Sequence, residues 1–138
     1  MVEDEVKQLI MKHEGLRLKP YRDTVQKLTI GYGRNLDDNG VREEEARFML
    51  ENDLEALDIE LNIRVTVYRS LNGARKGVLL NMAYNMGVPT LLGFRRMLAA
   101  LEIGGYVTAA LEMLDSKWHE QVGNRARELS RIMARGYY

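Results

Sequence analysis

After an acidic opening turn, Val6, Leu9, Ile10 and His13 recur at helical spacing, which predicts a first helix ended by Gly15. From Arg17 to Arg34 that period is lost. Arg17-Leu18-Lys19 and Leu28-Thr29-Ile30-Gly31-Tyr32 read instead as strands of a small antiparallel sheet. Strict alternation through the second run puts Thr29, Gly31 and Gly33 on one face and Ile30, Tyr32 and Arg34 on the other. Two glycines leave the first face bare, a pattern expected where something approaches the backbone closely. Asp37-Asp38-Asn39-Gly40 predicts a turn, and Ala46, Leu50, Leu54, Leu57 and Leu61 then form one stripe of a long helix. Farther on, Asn72 is placed to cap a helix reaching about Asn85, with Gly87 as its stop and Val78, Leu79, Met82 and Ala83 facing inward. Further helices are expected around Leu91 to Leu101, Tyr106 to Leu114 and Asn124 to Ala134, with Trp118 between the last two as a core anchor. No internal repeat interrupts this order.

The pattern predicts an α+β, mainly helical fold in one domain, residues 1–138. An N-terminal sheet lobe (about 12–45) and a linking helix (about 42–62) lead to a helical C-terminal lobe (about 63–138), which the first helix joins. A cleft between lobes is the expected location of a site.

Composition supports the helical reading, since Met, Ala, Leu, Glu and Arg are plentiful and proline occurs only at 20 and 89. A hydrophobic content of 46% is enough for a packed core. Cysteine is absent, which excludes disulfides, thiolate metal sites and a cysteine nucleophile. The acidic start has neither the basic flank nor the apolar stretch of a signal peptide, and no apolar run is long enough to span a bilayer. The chain is therefore expected to be made and kept in the cytoplasm unless something releases it. Formal charge is zero, but residues 1–60 carry 9 basic against 15 acidic side chains and residues 61–138 carry 11 against 5. A basic second half suits an anionic polymer or a solvated helix face, whereas a neutral total argues against strong non-specific nucleic-acid binding.

Two acidic residues bracket the region where the helical period breaks: Glu14 at the end of the first helix and Asp23 between the strands. An acid and a carboxylate are the pair that glycoside cleavage requires, one to protonate the leaving oxygen and one to activate water or attack directly. The partial negative charge of a helix C-terminus favours the protonated form that a general acid needs, and a nearby cation opposes it. Thr29 adds a hydroxyl that both donates and accepts, suited to orienting a water beside a carboxylate. With 20 acidic residues in the chain, a Glu-x8-Asp-x5-Thr spacing arises readily by chance. Its weight comes from the sequence in which it is set.

His13-Glu14-Gly15-Leu16-Arg17-Leu18-Lys19-Pro20-Tyr21-Arg22-Asp23-Thr24, followed by Leu28-Thr29-Ile30-Gly31-Tyr32-Gly33, resembles the signature of the phage-type lysozymes, the T-even-phage-like endolysin family (glycoside hydrolase family 24). The resemblance continues through Asn39-Gly40-Val41, Glu44-Glu45-Ala46, Asn81-Met82-Ala83-Tyr84-Asn85-Met86-Gly87, Gly93-Phe94, Ser116-Lys117-Trp118 and Asn124-Arg125-Ala126. It implies hydrolysis of the β-1,4 bond between N-acetylmuramic acid and N-acetylglucosamine in peptidoglycan. Glu14 would be the acid, with Asp23 and Thr29 holding the water in an inverting mechanism. It also implies that Arg125 supports the acid from the C-terminal lobe, and that Gly31, Tyr32, Leu36, Tyr84, Asn85 and Lys117 lie near the glycan, although each equally suits packing or surface. A monomer that stays in the host cytoplasm until a holin-like membrane protein gives it access to the wall is the biology implied.

Two departures from the family pattern stand out. Gln26 occupies a hairpin position where glycine is usual, so a positive φ there carries strain unless the turn is rebuilt. Arg34 replaces a histidine, which keeps the capacity for an ion pair and loses pH-linked switching. The connection after Arg34 is also short for the family, which puts glycan contacts from that region in question.

Other motifs fail on their own chemistry. Asn35 to Gly40 mimics half a calcium loop, yet its twelfth position is Ala46 rather than a bidentate Glu. His119-Glu120-Gln121-Val122-Gly123 lacks the second histidine of a zinc-protease motif, and Gly31-Tyr32-Gly33 lacks the third glycine of a nucleotide fingerprint. No metal, cofactor or nucleic-acid partner is expected. The alternatives are a lytic transglycosylase, which uses a Glu without activated water, and a non-catalytic helical module binding glycan or nucleic acid.

Overall fold

A computed structural model describes residues 1–138. Two compact units divide the chain, Met1–Phe48 and Met49–Tyr138, with the division falling inside the longest helix.

In the first unit, α1 (Asp4–Glu14) opens with Asp4 and Glu5 and carries Lys12 and His13 in its last turn, which complements the helix dipole at both ends. Gly15, at φ 73°, donates its N–H to the Met11 carbonyl and ends the helix immediately after Glu14. An antiparallel sheet follows, in the order β1 (Arg17–Arg22), β2 (Leu28–Gly31), β3 (Arg34–Asn35). Arg17 pairs with Gly31 and Tyr21 with Thr29, so β1 holds two more residues than β2 over that stretch. Pro20 lies in this bulge, where a missing N–H costs no ladder bond.

The sequence reading erred in three places here. Alternation does not run on past Gly31; Tyr32 and Gly33 form a turn, and a third strand pairs Ile30 with Arg34 and Thr29 with Asn35. The expected turn at Asp37 to Gly40 is one turn of helix, α2 (Leu36–Asn39), because the Asn35 side chain caps it by accepting from the Asp38 N–H. First-strand pairing also reaches beyond Lys19 to Arg22.

The long helix α3 (Glu43–Arg64) starts on three glutamates, and Glu45 accepts from the Arg42 N–H across its first turn, half of a capping box. In the second unit its end contributes Leu61, fully buried, with Leu57 beside it, to a core also built from Tyr68, Val78, Leu79, Met82, Leu91, Met97, Met113 and Met133. Around that core lie α4 (Gly73–Met86), α5 (Val88–Leu92), α6 (Arg95–Glu102), α7 (Tyr106–Leu114), α8 (Lys117–Val122) and α9 (Asn124–Arg135). Asn72 caps α4 by accepting from the Arg75 N–H, and Gly87 ends it, as the sequence suggests. The helix expected from Leu91 to Leu101 is two helices, broken where Leu92 gives way to Gly93 and Phe94. Trp118 is buried as expected, on the short helix α8 that the sequence pattern does not reveal, and meets Phe94 edge to face at 6.2 Å.

Buried Tyr68 donates its hydroxyl to Asp58 at 2.5 Å, and burial, with the carboxylate beside it, pushes the phenol well above its ordinary range. Tyr68→Phe strands that carboxylate, so urea unfolding of the second unit is expected to show a loss of about 1.5–3 kcal/mol.

Candidate active site

Glu14 is the last residue of α1, and its carboxylate rests against the far end of the sheet. A Cβ at Gly33 would stand 2.8 Å from Glu14 Oε2 and 3.2 Å from its Cδ, so any side chain there would displace the acid from this position. Gly33 also has φ 81°, a second reason against any other residue. The close approach expected from the sequence thus occurs at Gly33, which lies in the turn after β2 and not on the strand face assigned to it. Gly31, by contrast, has φ 68° and nothing within 4 Å of its would-be Cβ, so the turn geometry alone accounts for it.

Asp23 begins the turn between β1 and β2. Its Oδ1 accepts from the Val25 N–H at 2.9 Å and the Lys27 N–H at 2.8 Å, while its own backbone N–H donates to the Lys27 carbonyl. One carboxylate oxygen is therefore occupied by the turn, and Oδ2 takes no part in it. Thr29 is 4% exposed, and its hydroxyl donates to the same Lys27 carbonyl at 2.9 Å. One carbonyl oxygen thus ties Asp23 and Thr29 together. Because the Thr29 proton is committed, the free capacity of its hydroxyl is acceptor only. Asp23 Oδ2 is an acceptor too, so each of the two residues keeps an oxygen able to accept a hydrogen.

Gln26, at the apex of this turn, has φ 68° and is the one non-glycine residue in the left-handed region. The turn is not rebuilt around the substitution. Arg22 Nη1 donates to the Gln26 carbonyl at 3.2 Å and holds the strained residue in place.

The other end of the hairpin is fastened by charge. Arg34 makes a two-pronged contact with Glu45, Nη2 to Oε2 at 2.6 Å and Nη1 to Oε1 at 2.9 Å, and also reaches the Gly40 carbonyl at 3.2 Å. Hydrogen bonding from Arg34, then from the Arg42 N–H, lowers the Glu45 carboxyl from its ordinary range to about 2. A depressed carboxyl favours the fold above its unfolded value near 4.5, and that contribution is lost as pH falls through about 2. α2 is tied to the sheet by Asp37, which accepts from the Leu28 N–H at 2.7 Å, and by the Lys27–Asp38 pair at 3.0 Å.

Of the remaining candidates in the first unit, Tyr32 is exposed at the turn and Leu36 opens α2, half-buried. In the second unit, Tyr84 borders an open hollow of about 340 Å³ with Asp53, Leu57 and Glu60. Asn85 accepts from Trp118 Nε1 at 2.7 Å, so its carbonyl oxygen holds the core indole and its amide N–H groups are what it has left to offer. Lys117 is exposed at the start of α8. Arg125 Nε donates to Asn81 Oδ1 at 2.9 Å, which aims its guanidinium from α9. Sequence reasoning did not single out Asn81, Glu45 or the Lys27 carbonyl. Asn81 and Glu45 lie inside blocks quoted for the resemblance, whereas a backbone carbonyl leaves no trace in side-chain identity. No group of His, Asp and Glu side chains is arranged to hold a metal ion.

The phage lysozyme family model matches residues 11–135. The chain belongs to the phage lysozyme family. Among similar proteins, the pre-baseplate central spike protein Gp5 of Enterobacteria phage T4 is 31% identical over 94% of this chain, which spans only 27% of the spike protein. Probable T4-type lysozyme 1 of Dictyostelium discoideum is 28% identical, with 95% of this chain and 94% of that protein covered. An endolysin of Acyrthosiphon pisum secondary endosymbiont phage 1 is 30% identical over 86% of this chain and 80% of its own length. Family membership makes the chain a glycoside hydrolase of the lysozyme class, acting on the cell wall. No helix is long and apolar enough to cross a membrane.

Two substitutions test this geometry. Gly33→Ala places a methyl group on the Glu14 carboxylate, and a displacement of about 1 Å is enough to lower kcat on purified walls by roughly 100-fold. Gln26→Gly relieves the left-handed strain while loosening the unfolded chain, so thermal melts should show a net gain of about 0.5–1 kcal/mol.

Proposed function

We propose that this lysozyme-family chain is a muramidase that cleaves the β-1,4 bond between N-acetylmuramic acid and N-acetylglucosamine with inversion. The observation that carries the proposal is the shared Lys27 carbonyl, which leaves Asp23 and Thr29 as paired acceptors. A water donating one hydrogen to each keeps a lone pair free to attack the anomeric carbon, and Asp23 takes the proton as the C–O bond forms. Glu14 protonates the departing oxygen on the opposite face. Arg125, oriented by Asn81, supplies the cation that tunes Glu14 in this scheme. Gly31, Tyr32, Leu36, Tyr84, Asn85 and Lys117 are proposed as glycan contacts, Tyr84 as an exposed ring for a sugar face. Release onto the wall during host lysis through a holin-like partner, by a monomer, belongs to the same proposal and rests on family membership.

A transglycosylase needs no held water, and the built acceptor pair favours hydrolysis over that reading. Glu14→Gln, which keeps shape and removes the acid, should lower turnover of purified peptidoglycan by roughly 100- to 10,000-fold. Wild-type release of reducing ends by that variant would exclude Glu14 as the acid, and a 1,6-anhydro product from the unaltered protein would exclude a held water.

A further inference from the structure

The position of Glu14 depends on where the backbone of Gly33 is held, because the carboxylate rests on that residue's α-carbon side. The local chain is poorly equipped to hold itself. Gly31, the last residue of β2, and Gly33, in the two-residue connection after it, both sit at positive φ, and β3 is two residues long with only two paired positions. Directly after Gly33 comes Arg34, which is held by three hydrogen bonds, two to Glu45 and one to the Gly40 carbonyl. Glu45 is itself immobilised, as the third residue of a 22-residue helix and as acceptor of the Arg42 N–H at 2.8 Å.

We propose that the Arg34–Glu45 fork is the positioning device of the acid, acting on Glu14 through the backbone of Gly33. It rests on the reading of Glu14 as the acid. Geometry separates this role from a merely structural one. Both partners are about one-third exposed, 31% and 33%, so solvent screens their attraction, while the two-pronged contact fixes two planar groups against each other. A positioning role is therefore read in the rate and in local exchange at Gly33 and Arg34, beyond any change in melting temperature. Lysine at 34 keeps the charge but brings no planar fork, and so restores the function only in part.

Glu45→Gln is the informative variant, because glutamine still caps α3 from the same position and only the charged fork is weakened. We expect kcat on purified peptidoglycan to fall tenfold or more, KM to stay within about twofold, and amide hydrogen exchange at Gly33 and Arg34 to speed up. Arg34→Met should match Glu45→Gln, the double variant should be no worse than either single, and Arg34→Lys should fall between Arg34→Met and wild type. Arg47→Ala removes an exposed pair with Glu43 on the same helix and should leave kcat unchanged. Wild-type kcat in Glu45→Gln, or a lower kcat with unchanged exchange at Gly33 and Arg34, overturns the proposal. Glu14→Gln assayed in parallel separates the two readings: if it is inactive while Glu45→Gln is fully active, the acid stands and the positioning role falls.

Discussion

The carboxylate of Glu14 occupies the space that a side chain at residue 33 would fill, and the elements on either side of that contact carry their own constraints. Gly15 ends α1 immediately after Glu14, which leaves the acid at the helix terminus where the chain turns toward β1. The chain must reverse between Gly31, which ends β2, and Arg34, which begins β3, with positive φ at both Gly31 and Gly33. Arg34 must then be gripped from outside the sheet, because a two-residue strand has too few ladder bonds to fix it. Each requirement is met by a different kind of interaction: a helix cap, a backbone conformation open mainly to glycine, and a charged planar fork.

The opposite end of the same hairpin meets a different need. There one backbone carbonyl, that of Lys27, receives the Asp23 N–H and the Thr29 hydroxyl, and so converts a donor-acceptor hydroxyl into an acceptor. The arrangement is held at the cost of a strained Gln26, braced by Arg22. Backbone strain beside functional groups is a recurrent feature of sites whose geometry takes precedence over local comfort. Here it falls on the turn that fixes Asp23.

Much of this was legible in the sequence where a side chain's identity forces the outcome. Gly15 and Gly87 as helix ends, Asn72 as a cap, the inward set Val78, Leu79, Met82 and Ala83, and buried Trp118 all follow from local chemistry and periodicity. The misses share a cause as well. β3 and α8 are too short to show a period, α2 depends on one Asn35 cap hydrogen bond, and the break at Gly93 is a backbone event within an otherwise helical run. At the site, the expected close approach holds at Gly33 alone, in a turn and not on a strand face, and only the fold shows that the approaching group is Glu14. The Lys27 carbonyl could not be read at all, since every residue carries one. Asn85 suited glycan or packing equally, and its bond to Trp118 is what the structure adds.

The central claim is that a water held by Asp23 and Thr29 attacks the face opposite the bond that Glu14 protonates. Proton NMR of a chitin- or peptidoglycan-derived oligosaccharide, recorded within the first minutes of hydrolysis and before mutarotation, reads the configuration of the new reducing end directly. The account predicts that the α anomer forms first. Initial appearance of the β anomer would mean that the configuration is retained, and would contradict it.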